Sequence, residues 1–241
     1  MNTLTKAVFA LVLALPLAAQ ASRSDLYTDA EIDALLAPIA LYPDTVLSQV
    51  LVAATYPDEV EEAASWSRRH PQYHGQEAVE AVDDEDWHAS VKALVAFPDI
   101  LARMHDDPDW TQDLGDAFAG QQSDVMDRVQ YLRDRADASG NLDSLDHVRV
   151  VRESEYIYLE PTVSDVVYVP YYDPLVVYGS WWWPAYPPHC WAWWGGRPAY
   201  YYGSGWYWGI GFHVGPAFYA YHRFDWPARR VIVSPDRKSV V

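Results

Sequence analysis

The sequence predicts an α+β protein, an N-terminal bundle of mostly short helices followed by a small antiparallel region rich in tryptophan, tyrosine, glycine and proline. Three observations predict it. Up to Asn141, apolar residues recur at helical spacing between capping and proline signals. Past Leu142 they give way to short β-branched and aromatic runs separated by proline and aspartate. Charge divides along the same line: 29 of the 34 acids and 11 of the 17 bases lie at or before Glu155, leaving 5 acids and 6 bases beyond it. These divide the chain into a leader at 1–21, an acidic helical domain at 22–141, short antiparallel strands at 142–180 and an aromatic-rich irregular or β region at 181–241.

Lys6, the apolar run Ala7 to Leu15 and the small residues Ala18-Ala19-Gln20-Ala21 have the order of a secretory signal, with cleavage expected after Ala21. The run is too short to span a bilayer as a helix, and no later uncharged apolar run is long enough either. The expectation is an exported protein of the periplasm or cell envelope without a transmembrane segment in its mature chain. Cys190 stands alone, so no internal disulfide framework exists, and a buried apolar role is expected for it. The net charge of −17 argues against a nucleic-acid partner, because phosphate binding needs a basic surface.

Thr28 and Glu31 form a capping box ahead of Ile32, Leu35, Leu36 and Ile39, with Pro38 ending or kinking the first helix. The face Val46, Leu47, Val50, Leu51 and Ala54 predicts a second helix from Asp44 to the break at Pro57. The third is expected with Asp58 as its cap, Glu59, Glu61 and Glu62 near its positive end, and Arg68 and Arg69 near its negative end. Val91, Leu94 and Val95 predict a helix ending at Pro98, and Asp99 opens another through Ile100, Leu101 and Met104. Asp109 and Gln112 predict a capping box for a longer helix, weakened at Gly120 and stopped at Gly140-Asn141.

Three of these corners share one device: Tyr42-Pro43-Asp44, Tyr56-Pro57-Asp58 and Phe97-Pro98-Asp99. Each proline blocks the preceding helix, and each aspartate is placed to accept the N–H groups opening the next. The stretch LLAPIALYPDTVLSQVLVAATYP from Leu35, VKALVAFPDIL from Val91 and DWTQDLGDAFAGQQSDVMDRVQ from Asp109 resembles the bacterial exported proteins catalogued as domain of unknown function 3300. EYIYLEPTVSDVVYVPYYDPLVVYG resembles that family's continuation. The resemblance is strongest from Leu35 to Gly179 and implies no established activity.

Strands are expected at Val148 to Val150, Tyr156 to Leu159, Val166 to Val169 and Leu175 to Tyr178, joined in a small antiparallel sheet with Pro170 at a strand end or edge. Short strands are expected again at Ile210 to Val214, Phe218 to Phe224 and Val231 to Val233. Between them, nine of the twelve tryptophans fall between Trp181 and Trp226. Trp181, Trp182, Trp183, Trp191, Trp193, Trp194, Trp206 and Trp208 are the candidate binding residues. An indole pairs an apolar face with a polar tip, so such rings can grip a sugar face, a proline-rich peptide or a membrane interface. The same rings can instead form the core of an irregular cap on the helical domain, or stay poorly ordered until a partner holds them.

These observations favour a non-catalytic envelope protein, a scaffold or binding module for a protein partner, a wall glycan or the membrane surface. An alternative is a wall hydrolase working through paired carboxylates, for which Glu160 and Asp173 flank the aromatic region. No Gly-x-Ser-x-Gly elbow, His-Glu-x-x-His helix or catalytic Cys-His signature is present, so no catalytic residue is assigned. A divalent-metal binder is the other alternative, from Asp83 to Asp86 with Asp106, Asp107, Asp109 and Asp113, or from the histidines. Neither set has ligand spacing, so no metal residue and no cofactor is assigned.

Overall fold

The computed structural model describes residues 26–143, 145–191, 205–215, 218 and 222–233. The expected leader and the candidates Trp193 and Trp194 lie outside them.

The helical part runs α1 (Asp29–Leu36), α2 (Asp44–Ala53), α3 (Pro57–Arg69), α4 (Gln76–Ala81), α5 (Ala89–Leu94), α6 (Pro98–Asp106), α7 (Pro108–Gly120) and α8 (Gln122–Ala138). The Thr28–Glu31 capping box forms at α1: the Glu31 carboxylate accepts the Thr28 N–H at 2.8 Å, and the Thr28 hydroxyl accepts the Glu31 N–H. The centre of the bundle is α2, where even Ser48 and Gln49 are buried, and it touches α5, α7 and strands of the second half. Gly115 permits the approach of α7. A Cβ there would stand 2.1 Å from the Ala54 carbonyl oxygen, so α7 crosses the end of α2 at a distance only glycine allows.

Two expectations for this half are corrected. The single helix expected from Asp109 to Gly140 is two, broken at Gln121 (φ −139, ψ 43), and its N-cap is Asp107 rather than Asp109. Pro108 fits the first helical position, where its missing N–H costs nothing, and this leaves Asp107 to accept the Trp110 N–H at 3.2 Å. The proline corners shift in the same way. Pro57 and Pro98 take the first position of α3 and α6, with Tyr56 and Phe97 as N-caps, so Asp58 and Asp99 fall inside the first turn and cap nothing.

The second half carries β1 (Val148–Glu153), β2 (Tyr156–Pro161), β3 (Val166–Val167), β4 (Pro170–Tyr172), α9 (Pro174–Val177), β5 (Trp206–Trp208), β6 (Phe212–His213), β7 (His222–Asp225) and β8 (Arg230–Val233). The strand expected at Leu175 to Tyr178 is a helical turn, because Asp173 caps it, accepting the Leu175 N–H at 3.0 Å, and Pro174 occupies its first position. Instead of one sheet, the described strands form four antiparallel pairs: β1 with β2, β3 with β6, β4 with β5 and β7 with β8.

Two of those pairs make one bulged ribbon. Val167 faces Phe212 and Pro170 faces Trp208, so residues 168 and 169 oppose residues 209, 210 and 211. Gly209 and Gly211 flank the extra residue, and a Cβ on either would press into the ring of Tyr171 or Tyr168. Ile210, between them, is thrown outward and is 78% exposed.

Both halves share one hydrophobic core. Leu47, Leu51, Phe97 and Leu132 of the helices belong to the same cluster as Leu159, Val177, Phe218 and Trp226. The pair β7–β8 lies on α2 and α8.

Candidate functional site

The polar tips of the aromatic half converge on carboxylates of the helical half. Asp33, on α1, has no exposed surface. It accepts the indole N–H of Trp182 at 3.0 Å and of Trp183 at 2.7 Å. The guanidinium of Arg128 grips the same carboxylate through Nε at 2.6 Å and through Nη2. Arg128 also reaches Asp29 at 3.3 Å and lies over the ring of Tyr131. A buried carboxylate is tolerated only when paired and hydrogen-bonded, and here one cation and two neutral donors meet that need. Trp182 is wedged between Tyr131, edge-on at 5.3 Å, and Arg135, 4.5 Å above its ring.

Asp44 is a second receptor. Its carboxylate pairs with Arg133 at 2.6 Å, accepts the Trp226 indole N–H at 3.0 Å and lies 3.4 Å from the Leu159 amide nitrogen, which donates to it. Arg133 is wholly buried and also donates to the carbonyls of Ala40, Tyr42 and Ile157 at 2.9, 3.2 and 2.8 Å. A planar fork of five donors suits this number of acceptors. Beside it, the Tyr178 hydroxyl donates to the Ala37 carbonyl at 2.9 Å, and the Tyr172 hydroxyl accepts the Leu41 N–H at 3.1 Å. Burial pushes the ionisation of Tyr172 and Tyr178 well above the ordinary tyrosine value.

On α6, Asp99 accepts the Tyr171 hydroxyl at 3.0 Å. Arg103, 5% exposed, lies between the faces of Tyr171 (4.8 Å) and Trp191 (5.4 Å). Trp191 meets Trp110 edge-on at 4.8 Å, and His189 sits 2.9 Å from Asp107. Burial lowers the His189 pKa, against the opposing pull of Asp107.

Of the candidate tryptophans, 181, 182, 183, 191, 206 and 208 are described, and all are half-buried. Trp181 donates to the Tyr186 carbonyl at 2.8 Å, so with Trp182 and Trp183 three indole N–H groups are used within the chain. Trp206 and Trp208 stack at 5.9 Å on the bulged ribbon, Trp206 toward the buried Tyr172 and Trp208 edge-on to His147. The structure therefore gathers the candidates into two places, a strap seated on α1, α7 and α8 and a ribbon that carries Trp206 and Trp208. Sequence reasoning missed the ribbon's other members, Tyr168, Tyr171, Tyr207 and Ile210, for which the Gly209-Ile210-Gly211 spacing was the available signal. It also missed Asp33, an acid set among the core residues Ala30, Ile32 and Leu36.

The paired-carboxylate candidates have local partners. Glu160 accepts from Arg149 across the β1–β2 hairpin, at 3.1 Å from Nε, and Asp173 caps α9. Among the described residues no three His, Cys, Asp or Glu side chains gather where a metal ion could be held. Cys190 is exposed, where a buried apolar role was expected, because it lies on the irregular strap beside His189 and outside the core cluster. No helix among the described residues is long and apolar enough to cross a membrane.

The model of the family described as "Protein of unknown function (DUF3300)" matches residues 28–240. The chain is 42% identical to the uncharacterized protein YacH of Escherichia coli K12 over an alignment of 194 residues, covering 67% of this chain and 31% of that protein. It thus spans under a third of that relative's length. No solved structure matches it. Since the family model takes in nearly all of the chain past its first 27 residues, including both the acidic helices and the aromatic half they receive, the chain belongs to the DUF3300 family.

Proposed function

We propose that the chain is a non-catalytic, exported protein of the cell envelope whose helical body holds an aromatic ribbon rigid for contact with a protein partner. The observation that carries this reading is the bulge at Gly209-Ile210-Gly211, which pushes Ile210 into solvent (78% exposed) while the rings of Tyr171 and Tyr168 lie against the glycines on either side of it. An apolar side chain projecting beside aromatic rings that are already fixed in place is the composition of a binding hot spot. A flat sugar platform would not project an isoleucine, and a net charge of −17 opposes approach to anionic lipid. Glu160 and Asp173, the carboxylates named for a hydrolase, each have a structural partner, which supports the non-catalytic reading.

Photo-crosslinking from position 210 in intact cells tests the reading. A discrete protein adduct, absent when the crosslinker is moved to Glu155 on the β1–β2 turn, is expected. Adducts only to wall glycan or to lipid would replace the partner class, and no adduct would remove the binding role.

A further inference from the structure

The strongest unassigned surface is a trough on the helical body, lined by none of the residues of the aromatic half. A depression of about 320 Å³ between α3, α6 and α7 has apolar sides of Pro57 and Pro108 over the buried Val60 and Met104, and is rimmed by Asp58 and Glu61. A second, of about 590 Å³, is bounded by Glu62, Glu85, Trp66 and Trp87, and also by Asp58 and Glu61. The two share these carboxylates and so run together along α3.

Four carboxylates, those of Asp58, Glu61, Glu62 and Glu85, line the two depressions together with the Arg69 guanidinium and the His105 imidazole. Arg69 donates through Nε to the Ser65 carbonyl at 3.2 Å and forms no ion pair with any of them within 4 Å. Glu62 is held by the Trp87 indole N–H at 2.9 Å, which also fixes that ring against the trough wall. Trp66 is stacked with His70 at 4.5 Å and with Tyr73 at 6.0 Å. Carboxylates alone would make only a solvated helix face. The apolar sides and the indole walls beside them are a separate feature, one that fits a ligand carrying aliphatic length and positive charge together.

Lysine and arginine side chains have that form: the stem covers apolar surface, the head reaches a carboxylate, and an indole face attracts the cation. From this complementarity we infer that the α3 trough is a docking surface for a lysine- or arginine-rich segment of a partner protein. The stems lie against Pro57 and Pro108, above the buried Val60 and Met104, and the charged heads meet Asp58 and Glu61. This surface is independent of the ribbon at Ile210, and variants at one leave the other intact.

Fluorescence anisotropy of a labelled peptide of alternating lysine and alanine, titrated with the whole mature chain at physiological ionic strength, tests it. Asp58→Asn with Glu61→Gln, both at exposed positions, is expected to weaken binding by about tenfold, the loss usual for two charged contacts. Glu153→Gln with Glu155→Gln, which removes the same charge from the β1–β2 turn, is expected to leave binding within about twofold. Shortening the lysine stems to diaminobutyrate, which keeps the side-chain ammonium, is expected to weaken binding as well. Equal losses from both acid pairs, indifference to stem length, or no binding by the unaltered chain would each overturn the inference. So would full competition by spermidine, which would make this a small-polyamine site.

Discussion

Asp33 and Trp183 are joined by a 2.7 Å hydrogen bond across a sequence separation of 150. The acid belongs to the first helix of the bundle and the indole to the aromatic half. The same pattern recurs at Asp44 with Trp226 and at Asp99 with Tyr171. The acidic and aromatic portions of the chain are therefore complementary partners, and the charge division along the sequence is one expression of how they fit.

Replacing Asp33 by Asn should cost about 3 kcal/mol, because it leaves the guanidinium of Arg128 facing a neutral group at a buried site. Urea unfolding of the two proteins measures the difference. Near-UV circular dichroism should weaken at the same time as Trp182 and Trp183 lose their fixed environment.

Arg133→Lys should destabilise nearly as much as Arg133→Met, about 3 kcal/mol in each case, since an ammonium cannot serve Asp44 and three carbonyls in one plane. Thermal unfolding of both variants checks this. A lysine variant as stable as the parent would mean that charge alone matters at this position.

Two glycines of α7 should respond with opposite sign. Gly115→Ala drives a methyl into the Ala54 carbonyl and should cost about 2 kcal/mol or more. Gly120→Ala meets nothing within 4 Å and should be neutral or stabilising by about 0.5 kcal/mol through the unfolded chain. Denaturant midpoints of the two variants decide it.

Stability should fall at alkaline pH. Tyr27 is pushed from 10.0 up to about 12, first by burial and then by its hydrogen bond to Asp113, and burial raises Tyr42, Tyr171, Tyr172 and Tyr178 as well. A raised folded pKa favours the protonated phenol. The contribution is therefore complete below pH 10 and is lost as pH climbs through the folded values. Tyrosinate absorbance should rise late and cooperatively, together with loss of helical circular dichroism. Gradual titration from pH 10 with the helices intact would contradict this.

How much of this was legible depended on how local the causes were. The Thr28–Glu31 box, the helical face of α2 and the stop at Gly140 are contacts among near neighbours, and sequence spacing exposes such contacts directly. Asp44 and Asp99 look like caps because that is the only local use of an acid after proline. Their actual partners, Trp226 and Tyr171, lie 182 and 72 positions away, where no periodicity points. Leu175 to Tyr178 reads as a strand by side-chain type, but the Asp173-Pro174 start and burial of Val177 against the bundle favour a helical turn. The tryptophans were legible as a group and not as individuals, because a ring's value for binding depends on where its N–H is used. Trp182 and Trp183 spend theirs on Asp33, whereas Ile210, with no aromatic character to flag it, is the large apolar side chain most exposed on the ribbon.

The account rests on the two halves folding as one cooperative body. Fluorine NMR of the chain labelled with fluorotryptophan follows each indole separately through a urea titration. The account predicts that Trp66 and Trp110 of the helices lose their native resonances at the same urea concentration as Trp182, Trp183 and Trp226. Loss of the latter three while the helical pair stays native would contradict it.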